Sequence, residues 1–287
     1  MIHGLVEPAF IKEIFGVRER GEFIPVLYFY SVSRYKIKKR IVLYIMGCDV
    51  KMNIKGIIFD KDGTLMDFAA FWVPVAENAV QYTIDALKLD VSLFDDMLNA
   101  IGAYSGIHGM LCYGTYEQIA DALYTVLHEK NNFAINRQRL SGILSEAFHS
   151  SIEHGAIIPT CDNIVKVFSD LKESGKMLAL VTTDDAYITE KCLKTLGIYE
   201  YFDRIYTDDG IHPSKPDAYY IYRFCAEENL LPDEIAVVGD TMTDILFAKN
   251  GNCVSIGVAK NSEDREALSK SADYVIRDIS QINRVLG

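Results

Sequence analysis

The sequence predicts an α/β fold, a parallel sheet with helices on both faces that is interrupted once by an all-helical insert. Three observations carry this. After Met52, short apolar runs alternate with longer stretches of helical period. Three of the runs are apolar at nearly every position, as strands covered on both faces must be. From about Phe68 to Ile158 the alternation stops, and only amphipathic helical segments remain.

In chain order the predicted strands are Gly56–Phe59, Met177–Val181, Arg204–Tyr206, 235–238, Val254–Val258 and Tyr274–Ile276. Between and after them, 163–173, 186–196, 216–229, 244–250, 262–270 and 279–285 have the period of helices, the third opened by Pro216. Inside the insert, FWVPVAENAV with the sole Trp72 starts the first helix. TYEQIADALYTVLH opens on a capping box, Thr115 with Gln118, and aligns Ile119, Leu123, Val126 and Leu127 on one face. The glycine-rich AIGAYSGIHGMLCYG reads as a flexible loop between insert helices.

The 287 residues are 49% hydrophobic and 24% charged, which excludes disordered and low-complexity classes. A net charge of −11 argues against nucleic acid as a partner. That charge is segregated. Residues 1–51 hold nine basic against five acidic residues, so the remainder carries −15. The six cysteines form no CxxC pair, which argues against zinc and against a disulfide framework and suits reduced thiols in a cytoplasm. In the basic segment the apolar stretches are far shorter than the roughly 18 residues of a spanning helix, so no membrane partner is expected. KIKKR followed by IVLYIMGC resembles part of a secretion signal but sits too far from the start and is too short.

Four short elements carry chemistry. The first strand ends at Asp60, and Asp62, Gly63 and Thr64 follow at once. The strand in LALVTTDD delivers Thr182 and Thr183, and IAVVGDTMTD delivers Asp240 with Asp244 one helical turn on. HPSKPDAYY offers Lys215. Ligands in open α/β sheets bind off the carboxyl ends of strands, where the groups of the first three elements stand. Asp184 and Asp185 read as helix caps, Asp67 as either a cap or a site residue, and Lys61 as pointing away from its neighbouring aspartates. A strongly acidic chain attracts a phosphate only through a cation, and clustered carboxylates supply a hard-oxygen site for one.

Carboxylates, hydroxyl, ammonium and carboxylates in this order resemble the four motifs of the haloacid dehalogenase superfamily, and its phosphoglycolate phosphatase-like branch in particular. The resemblance covers roughly residues 53–287. It implies a Rossmann-like core formed by 52–67 and 159–287, with a C1-type helical cap at 68–158 that closes over the site. It implies Asp60 as the nucleophile that becomes an aspartyl-phosphate and Asp62 as general acid and base. Mg²⁺ would be held by Asp60, the backbone carbonyl of Asp62 and Asp240, with Asp244 in support. Phosphate would be held by Thr182, Thr183 and Lys215. An aspartate two positions after the nucleophile is the phosphatase and mutase choice, not that of the dehalogenases. The expected activity is therefore Mg²⁺-dependent hydrolysis of a small phosphorylated metabolite, phosphoglycolate being the nearest named analogue. The alternatives are a phosphotransferase or mutase of the β-phosphoglucomutase type, or a non-catalytic binding protein of the same fold.

Cap residues Tyr104, His108, Tyr113 and Thr115 are candidates for touching the leaving group. The cap has no arginine-bearing signature like that of the mutases, which favours hydrolysis. Residues 1–51 read as a basic extension that is either native or upstream sequence preceding a start at Met52 or Met46. A monomer or homodimer is expected.

Overall fold

The structure is a computed structural model that describes residues 27–29, 40–42, 53–106, 109–131 and 135–286. The chain divides into two compact units, Met1–Val50 and Lys51–Gly287. In the first, β1 (Leu27–Phe29) and β2 (Arg40–Val42) pair antiparallel with Tyr28 opposite Ile41. The other residues of 1–51, and the two start methionines, lie outside the described residues.

The second unit is built on a six-stranded sheet of β3 (Gly56–Phe59), β4 (Met177–Val181), β5 (Arg204–Tyr206), β6 (Ile235–Gly239), β7 (Val254–Val258) and β8 (Tyr274–Ile276). The order is β5-β4-β3-β6-β7-β8 and every pairing is parallel. β6 runs one residue past its predicted end because Gly239 still pairs with Gly257 of β7. β3 comes first in the unit yet lies between β4 and β6, so the crossovers leave it in opposite directions. That reversal opens a crevice at its carboxyl end.

Alternation along β3 divides the core. Ile57 and Phe59 face one hydrophobic cluster with α6 (Ile164–Glu173), α7 (Ala186–Thr195) and α11 (Ile282–Leu286). Ile58 faces the other with α8 (Tyr219–Glu228) and α9 (Met242–Asn250). The ring of Phe59 packs 5.1 Å from Phe168 and meets Phe202 edge-on at 6.4 Å. A short α10 (Ser262–Ser269) covers β7 through Leu268. α8 starts at Tyr219, three residues later than Pro216 predicts. Pro216 lies inside a turn closed by the Asp217 N–H to the Ser214 carbonyl, and the Asp217 carboxylate accepts from the Tyr219 N–H at the helix start.

Between β3 and β4 lie α1 (Phe68–Leu87), α2 (Phe94–Ala100), α3 (Met110–Tyr113), α4 (Tyr116–Asn131) and α5 (Arg137–Ser151), which form the helical cap. α1 packs mainly on α5. Its Pro74 has no N–H to give the Ala70 carbonyl, and the Ala156 N–H of the returning chain donates there instead, at 3.0 Å. The two crossings run side by side, with Asp67 N–H bonded to the Ile158 carbonyl and Thr160 N–H to that of Leu65. The capping box forms as expected, Thr115 and Gln118 exchanging bonds at 2.9 and 3.3 Å. The glycine-rich stretch holds α3 and one close crossing. A Cβ on Gly109 would stand 2.0 Å from the Gly102 carbonyl oxygen, so glycine is there for proximity as well as for the left-handed φ of +64° at Gly102.

The described cysteines, Cys112, Cys161, Cys192, Cys225 and Cys253, are free thiols. Among the described residues no helix is long and apolar enough to cross a membrane.

Candidate active site

Three neighbouring strands deliver the site. Asp60 leaves β3, its N–H tied to the Val238 carbonyl of β6 at 2.9 Å. Asp240 leaves β6, and Asp244 stands in the first turn of α9. Each of the three offers a carboxylate oxygen, and these oxygens all lie within 4.8 Å of one another. Lys215 bridges two of them: its Nζ is 2.7 Å from Asp244 Oδ1 and bonds to Asp60 Oδ1. The other oxygen of Asp244 accepts from the Thr241 hydroxyl at 2.6 Å and the Thr241 N–H at 3.1 Å, a capping box that opens α9. Asp240 Oδ1 accepts from the Thr64 hydroxyl at 3.2 Å.

One buried ammonium does not balance three carboxylates. Burial pushes the Asp60 carboxyl up to about 7, against the pull of Lys215 and with the push of Asp244. Asp240 is held well above the carboxylate range by burial and by Asp60 and Asp244. Burial disfavours the Lys215 ammonium, but Asp244 and Asp60 outweigh it and hold it above the ordinary lysine range. The cluster therefore has the charge and the hard-oxygen donors to hold a divalent cation.

Asp62 is held apart from this cluster, and here the expectation for Lys61 is corrected. Lys61 turns toward Asp62 and is fully buried, its Nζ 2.8 Å from Asp62 and 2.7 Å from Asp184. The backbone does not stay extended after Asp60. The Lys61 carbonyl accepts from the Leu65 N–H at 2.8 Å, so the chain turns and the alternation that would separate the side chains is lost. Asp184 is accordingly an ion-pair partner and not a cap, whereas Asp185 caps α7 through the Ile188 N–H at 2.9 Å. Asp67 caps α1 through the Ala70 N–H at 3.0 Å.

The turn also explains Gly63. Its φ is +79°, and a Cβ built on it would stand 1.9 Å from Asp240 Oδ2. Gly63→Ala adds a left-handed backbone cost of about 1–2 kcal/mol to that clash. We expect a lowered melting temperature and, because the Asp240 carboxylate is displaced, a loss of turnover on the order of 100-fold. Wild-type values for both would contradict the role given to this contact.

Thr182 directly follows β4 and is buried, with its N–H on the Tyr206 carbonyl and its hydroxyl accepting from the Asp184 N–H at 3.2 Å. Asp60, Asp62, Thr182, Thr183, Lys215 and Asp244 all line one cavity of about 300 Å³ under the cap.

The family model for haloacid dehalogenase-like hydrolases matches residues 54–252, more than half of the chain. The chain belongs to that family. The haloacid dehalogenase-like relatives include the phosphoglycolate phosphatase of Salmonella typhimurium, 26% identical over 235 residues that cover 80% of this chain and 91% of that protein. Pyrophosphatase PpaX of Bacillus velezensis is 24% identical over 241 residues, covering 82% and 97%. A solved structure of a predicted phosphoglycolate phosphatase from Haemophilus somnus superposes with a TM-score of 0.63 at 18% identity, over 82% of this chain and 99% of that one.

In this hydrolase the cap contributes Phe68, Trp72, Leu111, Cys112, Thr115, Ile119 and Phe148 to the cavity wall. Tyr104 is not among the lining residues. It is exposed and donates from its hydroxyl to Glu77 of α1 at 2.7 Å, on the outside of the cap. His108 and the Tyr113 side chain lie outside the described residues. Lys61, Asp184, Thr241 and Thr243 are site residues that the motifs did not single out. The Thr241-x-x-Asp244 spacing of a capping box was the available signal for Thr241.

Proposed function

We propose that the protein is a Mg²⁺-dependent phosphatase that hydrolyses a small phosphate monoester, with phosphoglycolate as the nearest named analogue, through an aspartyl-phosphate at Asp60. The observation that carries this reading is the separation of two carboxylates two residues apart. Asp60 faces Lys215 and the Asp240–Asp244 pair, while Asp62 is held by Lys61. One is placed to attack a phosphorus, the other to manage a proton.

The Asp60 carboxylate oxygen attacks phosphorus as the bond to the leaving oxygen breaks, and Asp62 gives that oxygen its proton. Water then attacks phosphorus as its bond to the Asp60 oxygen breaks, Asp62 takes the water's proton, and inorganic phosphate leaves with the Asp60 carboxylate restored. Lys215, the Thr182 hydroxyl and the backbone N–H groups beyond Asp60 and Thr182 neutralise the spread negative charge of the phosphoryl oxygens. Asp60 and Asp240, with the Asp62 carbonyl, would hold Mg²⁺. Asp244, whose two oxygens are both engaged by Lys215 and Thr241, supports them. When bound, the ion supplies charge neutralisation at the transferring group.

Among the described lining residues, the cap presents apolar walls and the Thr115 hydroxyl but no cationic side chain. A mutase must hold a second phosphate on its sugar, so this favours water as the acceptor. The relatives differ in their named substrates at nearly equal similarity, one a phosphoglycolate phosphatase and one a pyrophosphatase. The substrate therefore has to be found by assay. Across a panel of phosphometabolites with Mg²⁺, we expect phosphate release to be greatest for small monoesters that fit a cavity of about 300 Å³. Adding a sugar-phosphate acceptor is expected to produce no isomerised sugar phosphate. Isomerisation without phosphate release would overturn the hydrolase reading.

A further inference from the structure

Lys61 is a buried ionisable side chain outside the phosphate and cation cluster. It is fully buried and stands directly between the nucleophile and Asp62 in sequence. Its Nζ reaches both Asp62 oxygens at 2.8 Å and Asp184 at 2.7 Å, with the Met66 sulfur at 3.8 Å. The rings of Phe71 and Trp72, both on cap helix α1, lie 5.7 and 5.9 Å from the same nitrogen. Trp72 and Asp184 line the cavity as well, so the ammonium sits immediately behind its wall.

A surface lysine samples many rotamers, whereas this one has an anchor on each side and no solvent. Asp184 belongs to the loop after β4, Asp62 to the loop after β3, and the two rings to the cap. With Asp184 and the rings fixing the ammonium, the ammonium in turn fixes the Asp62 carboxylate. We propose that Lys61, anchored by Asp184, is a positioning residue that aims Asp62 at the leaving-group oxygen. It rests on the reading of Asp62 as general acid given above. In the step concerned, a bond forms between the Asp60 oxygen and phosphorus, the bond from phosphorus to the leaving oxygen breaks, and the Asp62 proton passes to that oxygen. Lys61 exchanges no proton and touches no reacting atom.

The test exploits the difference between leaving groups. p-Nitrophenolate departs without a proton, whereas the alkoxide of β-glycerophosphate requires one. kcat/KM contains only the steps up to that departure, so the later water attack does not enter. For full-length Lys61→Met with Mg²⁺, the ratio of kcat/KM for p-nitrophenyl phosphate to that for β-glycerophosphate is expected to rise at least ~30-fold, a partial loss of the roughly 100- to 10,000-fold that a general acid contributes. Lys61→Gln, which keeps a hydrogen-bond donor in the same space, is expected to give a smaller rise, and it carries the test if the Met variant does not give a wild-type circular dichroism spectrum. A parallel fall for both substrates, or no change in the ratio, would overturn the proposal. Asp62→Asn is the control: if its own ratio does not rise, the general-acid reading has failed, and not the placement of Lys61 alone.

Discussion

Asp60→Asn is expected to abolish turnover of p-nitrophenyl phosphate in Mg²⁺, by at least ~1,000-fold, as loss of a nucleophile does elsewhere. The amide has nearly the shape of the carboxylate and keeps one oxygen for Lys215, but it has no charged oxygen to attack phosphorus. The fold is expected to survive. Burial already disfavours the ionised Asp60 side chain, whose carboxyl is pushed up to about 7, so the neutral amide relieves crowding among Asp60, Asp240 and Asp244. Without divalent cations the variant is therefore expected to melt no lower than the wild type. Acid quenching of the wild type during turnover should trap a chain heavier by one phosphoryl group, and the variant should show none. Wild-type-like turnover in the variant would sink the covalent mechanism.

Removal of divalent cations with a chelator is expected to cost at least ~100-fold in turnover, restored by Mg²⁺. The buried carboxylates add a second readout with a definite sign. The folded Asp60 carboxyl holds its proton up to about 7, whereas an ordinary one releases it near 3.8. Between these values the folded chain binds more protons than the unfolded chain, so this group's contribution to stability declines as pH rises through the window. Asp240 is shifted in the same direction. Mg²⁺ binds the deprotonated carboxylates and should cancel the decline. The rise in melting temperature on adding Mg²⁺ is thus expected to be larger at about pH 7.5 than at about pH 5. Equal shifts at both values would mean that the carboxylate cluster is not where the ion binds.

The sheet and the helical cap were legible because both rest on periodicity, and Gly56–Phe59, Met177–Val181 and Val254–Val258 are apolar runs with sharp ends. Asp60, Thr182 and Asp240 stand out in the sequence because each directly follows an apolar strand run, and Lys215 because its motif comes in order between those of Thr182 and Asp240. Lys61 was misread because alternation applies to extended backbone, and the chain turns immediately after Asp60, with Leu65 bonding back to the Lys61 carbonyl. Asp184 was misread with it, since its partner is distant in sequence. Tyr104 carried no local signal for its direction. Its place on the cap surface follows from the pairing with Glu77, which only the folded chain brings within reach.

Pro74 gives the cap its mechanical character. The carbonyl that it frees on Ala70 is taken by Ala156, just inside a pair of crossings already stitched by Asp67 with Ile158 and Thr160 with Leu65. Two single strands at this junction would let the cap swivel, but a hydrogen-bonded ribbon resists torsion and bends most easily across its flat side. The cap is thus joined to the sheet through a short hydrogen-bonded ribbon within a few residues of Asp60 and Asp62. Sequence change in the cap helices can reshape the cavity wall they supply while the sheet, and the carboxylates it carries, stay in register.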